Sequence, residues 1–143
     1  MAIRVGLDLV CADTVTEGIE AHAERYLSRI YTEREVADCR SGDRLHPQRL
    51  AARFAAKEAT WKVLDVGDHP VSWLEVEVVT DARGEMGLSL TGNAARLADN
   101  AGISSLQLSL THQRTAAAAI VIAETGLGCR YARHGREDPP RPP

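Results

Sequence analysis

Between Ile3 and Val10 the chain alternates: Ile3, Val5, Leu7 and Leu9 fall between Arg4, Gly6 and Asp8. A period of two predicts a half-buried strand with Asp8 on its polar face. Ile19, Ala23, Tyr26, Leu27 and Ile30 then repeat at helical spacing, predicting one helix from Thr16 to Tyr31. Thr32-Glu33-Arg34-Glu35 has the form of a capping box and opens a short helix to about Cys39. After a break at Ser41–Arg44, Pro47 suits the first turn of a central helix free of glycine and proline from Gln48 to Leu64, which Val66-Gly67-Asp68-His69-Pro70 ends. Alternation returns at 73–80 and 86–90, where the turn signal Asp81-Ala82-Arg83-Gly84 implies a hairpin. Thr91-Gly92-Asn93 caps a helix to about Ala101, and Leu106, Leu108 and Leu110 mark another strand. The apolar run 115–123 predicts a strand buried on both faces.

About five strands with short connections imply an α+β fold, an antiparallel-rich sheet packed with a long central helix. This domain covers residues 1–125, and Arg/Pro-rich 126–143 is expected to be a flexible C-terminal tail. A formal net charge of −3 gives no global reason to expect nucleic acid as a partner, and no apolar run approaches the roughly 20 residues of a membrane helix. The first residues enter a strand pattern with no signal-peptide core, so a cytoplasmic location is expected. Cys11, Cys39 and Cys129 are widely spaced, which points to free thiols rather than a disulfide framework or zinc site. A Cys11–His112 nucleophilic pair is a competing reading, set against cysteine's usual place as a small buried hydrophobe.

The chemistry concentrates on the central helix. Leu50, Phe54, Trp61 and Leu64 share an apolar stripe, while Glu58 and Lys62 lie on the neighbouring face with Ala51 and Ala55. Lys57 projects into the stripe, where an ammonium needs a route to water or a partner. Glu58 and Lys62 alone would be an ordinary surface pair worth roughly 0.2–0.5 kcal/mol. With Arg53, Lys57 and Lys62 around one carboxylate, the balance is that of a helix holding phosphates and a metal together.

The run Arg53-Phe54-Ala55-Ala56-Lys57-Glu58-Ala59, followed by Lys62, resembles the central motif of the holo-[acyl-carrier-protein] synthases, the small 4′-phosphopantetheinyl transferases. Gly6-Leu7-Asp8-Leu9-Val10 resembles their N-terminal strand and Ser109-Leu110-Thr111-His112 their C-terminal motif, so the likeness runs from about Ile3 to Ala123. The resemblance implies transfer of the phosphopantetheine arm of coenzyme A to a serine of an acyl or peptidyl carrier protein. It implies Mg²⁺ on Asp8 and Glu58, with Glu58 also the base, Lys62 offsetting leaving-group charge, and Arg53, Lys57, Gly84, Thr111 and His112 contacting coenzyme A. It also implies a homotrimer with sites between protomers. A non-catalytic coenzyme A or carrier-binding relative is the alternative, and joint retention of Asp8, Glu58 and Lys62 argues against it. Cys11 and Thr14 stand where the family has an acidic residue and an arginine; Asp65, Met86 and Gln113 also depart from its pattern. Loss of the arginine, with Glu17 and Glu20 nearby, implies a carrier less acidic than the usual fatty-acid one.

Overall fold

The computed structural model describes residues 1–126. Apart from Gly126, the expected tail lies outside the described residues, as does Cys129. Strands β1 (Ala2–Cys11), β6 (Ile103–His112) and β7 (Ala116–Thr125) form an antiparallel sheet in the order β1-β7-β6. Helix α4 (Pro47–Leu64) lies across one face of it. Strands β4 (Val76–Thr80) and β5 (Met86–Leu90) form the expected hairpin beside this sheet, and helix α5 (Gly92–Asn100) packs over a smaller core of Leu64, Val66, Val76, Ala94 and Ala98. Two two-residue strands, β2 (Arg40–Ser41) and β3 (Arg44–Leu45), pair ahead of α4. The α+β class is therefore as expected, with its strands divided among separate sheets.

The expected helix over Thr16–Tyr31 is two: α1 (Ala12–His22) and α2 (Glu24–Ile30). They meet at Ala23, whose φ of 44° leaves the helical region. A Cβ on Gly18 would lie 2.4 Å from the Tyr26 ring, so the missing side chain lets α2 fold back onto α1. Helix α3 (Glu33–Asp38) begins with the capping box read from Thr32 and Glu35, both bonds of which are present.

The largest correction concerns faces. Alternation along β1 is real, but the face expected to be buried points outward: Ile3 and Leu9 are 56% and 73% exposed. Arg4, Gly6, Asp8 and Val10 face α4 instead, Arg4 donating to the Val63 carbonyl at 3.1 Å. Gly6 explains this inversion. A Cβ there would sit 2.0 Å from the Ala59 carbonyl oxygen, so strand and helix approach to a distance only glycine allows. Helix α4 is matched to that approach by buried Ala51, Ala52, Ala55, Ala56, Ala59 and Val63; of the expected stripe Leu50 and Leu64 are buried, whereas Phe54 and Trp61 are only partly so. Strand β7 is likewise covered on one face only: Ala117, Ala119, Val121 and Ala123 are buried, while Ile120 on the other face is exposed.

Candidate active site

The close packing of β1 on α4 brings together residues 54 and 55 positions apart. Lys62 donates to the Leu7 carbonyl at 2.7 Å and to Asp8 Oδ1 at 3.2 Å. Glu58, one turn earlier, faces the same aspartate. Burial and the adjoining Asp8 carboxyl push Glu58 up to about 7, with Lys62 pulling the other way. Asp8 Oδ2 is buried without a hydrogen-bond partner among the described residues. An orphaned carboxylate oxygen beside a second carboxyl has the chemistry of an incomplete oxygen-donor site, one that fits a hard divalent cation which keeps several waters.

Glu58 and Lys62 also line a cleft of about 490 Å³ completed by Trp61, Asp65, Val66, Gly67 and Trp73. Trp61 and Trp73 stack face to face, 3.7 Å between centroids and 3° from parallel, and give it a rigid apolar wall.

The other expected residues fall elsewhere. Arg53 is 2% exposed and lines a separate cavity of about 340 Å³ with Asp38, Arg49, Thr80, Met86 and His112. Asp38 Oδ2, Arg53 Nε and Thr80 Oγ1 are all buried there without partners among the described residues, an unusual concentration of unmet hydrogen bonds. Two guanidiniums and an imidazole in this lining suit a phosphate, with the Asp38 carboxylate among them working against one. Thr111 lies in an adjoining groove with Leu9, His112 and Ala118. The register places Asp8 opposite Ala119 on one edge of β7 and Thr111 opposite Ala118 on the other, so the strand separates the two groups. Gly84 is at the hairpin tip with φ 84°, open space around it, and lines neither the cleft nor the cavity. No hydrogen bond joins Cys11 to His112. Cys11 and Cys39 are free, and burial pushes the Cys39 thiol up to about 11, which leaves it inert at neutral pH.

Lys57 does not fit the phosphate-binding part expected of it. Its ammonium is fully buried and donates to Glu35 Oε1 at 2.7 Å, the Trp73 carbonyl at 3.0 Å and the Val76 carbonyl at 2.5 Å. All three N–H bonds are used. The partner its place in the apolar stripe demanded is Glu35, which sequence reading identified only as a helix cap. Nothing in local spacing signals a contact across 22 residues. Trp73, Asp38, Arg49 and Thr80 were also missed, since their convergence depends on how separate elements pack.

Two carboxyls and an ammonium thus meet beside the cleft, and Arg49, Arg53 and His112 meet at the cavity. The family model of the 4′-phosphopantetheinyl transferase superfamily matches residues 4–121. The chain is 36% identical over 122 residues to a holo-[acyl-carrier-protein] synthase of Halothermothrix orenii, covering 85% of this chain and 97% of that one. It is 38% identical over 126 residues to one of Solibacter usitatus, covering 87% and 99%. Its fold matches the ACPS of Chronobacterium ammoniagenes in complex with CoA, with a TM-score of 0.74 at 28% identity over 88% of this chain and 99% of that one. The chain belongs to the holo-[acyl-carrier-protein] synthase family of that superfamily, and is an enzyme.

Proposed function

We propose that this enzyme transfers the 4′-phosphopantetheine arm of coenzyme A to a serine hydroxyl of an acyl or peptidyl carrier protein, releasing adenosine 3′,5′-bisphosphate. The observation that carries the reading is the junction of Asp8 with Glu58 and Lys62, two residues that line the cleft. Asp8 and Glu58 would hold Mg²⁺, which when bound supplies charge neutralisation at the pyrophosphate. Glu58, its carboxyl pushed up to about 7, is suited to take the serine proton near neutral pH. The serine oxygen forms a bond to the phosphorus bearing the pantetheine arm, and the bridging P–O bond breaks with its electron pair leaving on the adenosine phosphate. Lys62 uses two of its donors on Leu7 and Asp8, and its third donor would meet the charge on that leaving group. Arg53 and His112, joined by Arg49, suit the nucleotide's remaining phosphate, with Thr111 beside them.

Thr111 and His112 lie across β7 from Asp8, while Arg49 and Arg53 share α4 with Glu58, and we infer a homotrimer in which neighbouring copies complete each site. The supporting observation is the outward row Ile3, Val5, Leu7 and Leu9, continued by Ile120 on β7, an apolar strip that an isolated chain would leave in water. The number three comes from the family resemblance. Light scattering at micromolar concentration that gives a monomer mass would refute the assembly. We place the enzyme in the cytoplasm, where Cys11 and Cys39 would stay reduced. Thr14, Glu17 and Glu20 are exposed on α1 and would steer poorly toward a strongly acidic carrier. The transfer is tested by intact mass of a carrier protein incubated with enzyme, coenzyme A and Mg²⁺. Gain of one phosphopantetheine on one serine, abolished by chelation, is expected; an unmodified carrier would refute the reading.

A further inference from the structure

Glu35 and Lys57 make a fully buried ion pair that the proposed chemistry does not use. Its bonds reach several elements. Glu35 Oε1 accepts from Lys57 on α4 and from the Thr32 amide at the start of α3, at 3.0 Å, while Oε2 accepts from the Val78 amide of β4 at 3.2 Å. Lys57 in turn donates to the carbonyls of Trp73 and Val76. The pair therefore ties α3, α4, β4 and the segment before β4 at one point, with no donor of the ammonium left over.

Two walls of the site leave from this point. Glu58 follows Lys57 directly, so the roll of α4 that seats the ammonium on Glu35 also turns Glu58 toward Asp8. Trp73, held by its carbonyl, carries the ring that stacks on Trp61 and walls the cleft. The rest of α4's buried surface is alanine through its middle, with Leu50, Val63 and Leu64 buried towards its ends, so the ion pair adds a polar constraint on the roll to the close packing that Gly6 and Ala59 set against β1. A buried charge pair is strict where alanines are permissive: any other roll or axial shift would strand an ion in the core.

From this we infer that Glu35, acting through Lys57, is a positioning residue for the carboxyl pair and the cleft. The inference rests on the reading that Asp8 and Glu58 bind a divalent cation and act in transfer. It is tested with the double replacement Glu35→Leu with Lys57→Met, which exchanges the pair for apolar side chains of similar size. Such exchanges avoid a stranded ion, but the amides of Thr32 and Val78 and the carbonyls of Trp73 and Val76 lose their partners, so the melting temperature is expected to fall while the protein stays folded at the assay temperature. Turnover is expected to fall about 10- to 100-fold, as small misplacements of reacting groups do. KM for coenzyme A should change far less, and Mn²⁺ affinity, followed by paramagnetic resonance without substrate, should weaken. A folded double variant with wild-type kcat and wild-type Mn²⁺ affinity would overturn the inference. If the double variant does not fold, Glu35→Gln, which keeps one acceptor oxygen and the size, is measured in the same way: loss of kcat and Mn²⁺ affinity in the folded fraction supports the inference, and wild-type values overturn it. Wild-type enzyme is run beside both. A wild type that neither binds Mn²⁺ nor modifies a carrier would remove the functional reading itself, and the inference with it.

Discussion

Two lysines of one helix, five residues apart, each meet a carboxylate, and the surroundings give them opposite work. Lys57 is enclosed by α3, α4 and β4, its partner is equally buried, and every donor it has is matched inside the protein. Lys62 is half exposed, its aspartate keeps an unmatched oxygen, and a second carboxyl beside it sits near neutrality. A satisfied pair in a dry core resists rearrangement and holds geometry. An unsatisfied cluster beside a cleft is poised to complete itself with a ligand. The lesson is that a motif of adjacent charges cannot be assigned to one job as a block. Lys57 and Glu58 are neighbours in sequence, yet one looks inward and the other faces the site.

The sharpest way to break this comparison is to remove the ionisable group on the exposed side. Glu58→Gln should lower transfer by about 10²- to 10⁴-fold, the usual range for a lost acid–base group, with the fold intact. A folded Glu58→Gln enzyme turning over at the wild-type rate in saturating Mg²⁺ would remove Glu58 from the chemistry. On the buried side the large effect is on stability. Lys57→Met strands Glu35 in the core and should cost about 3–5 kcal/mol, read as a shifted denaturant midpoint. A stability within 1 kcal/mol of wild type would contradict the placement of the pair.

A smaller effect sharpens the contrast through pH. Because Glu58 is raised to about 7 in the fold, its ionisation disfavours the native state as pH rises from the ordinary carboxyl range through 7, and that cost is complete above it. Glu58→Gln should therefore raise the melting temperature at pH 8 and leave it nearly unchanged at pH 5. A divalent cation that binds the ionised pair must displace the proton, so its affinity should fall by up to about tenfold per pH unit below 7. Calorimetric titration of Mg²⁺ at pH 6 and pH 8 checks this, and equal affinities would place the cation elsewhere.

Much of the fold was legible where local rules decide. The capping box at Thr32 and Glu35, the proline-started helix from Pro47 and the hairpin around Asp81–Gly84 follow from residues within one turn of each other. The orientation of β1 was not: Ile3, Val5, Leu7 and Leu9 are its more apolar side and read as the core side, and only the contact between Gly6 and Ala59 selects the other. The break at Ala23 was hidden for the same reason, since it depends on Tyr26 reaching Gly18. Within the site, Asp8, Glu58 and Lys62 were readable from the family motifs and converge in the structure. The Glu35–Lys57 bond and the unmatched atoms of Asp38, Arg53 and Thr80 join distant segments through packing, which no spacing rule encodes.

The division of labour between the two lysines is tested most directly by single-turnover transfer with Lys62→Ala at saturating coenzyme A and Mg²⁺. Its ion pair is solvent-facing and worth at most about 1 kcal/mol, so the protein should stay folded. The phosphopantetheinylated carrier is expected to form at least about tenfold more slowly, while coenzyme A affinity stays within a few-fold, as for a group that acts on charge developing in the transition state. Transfer at the wild-type rate would contradict the assignment of Lys62 to the leaving group.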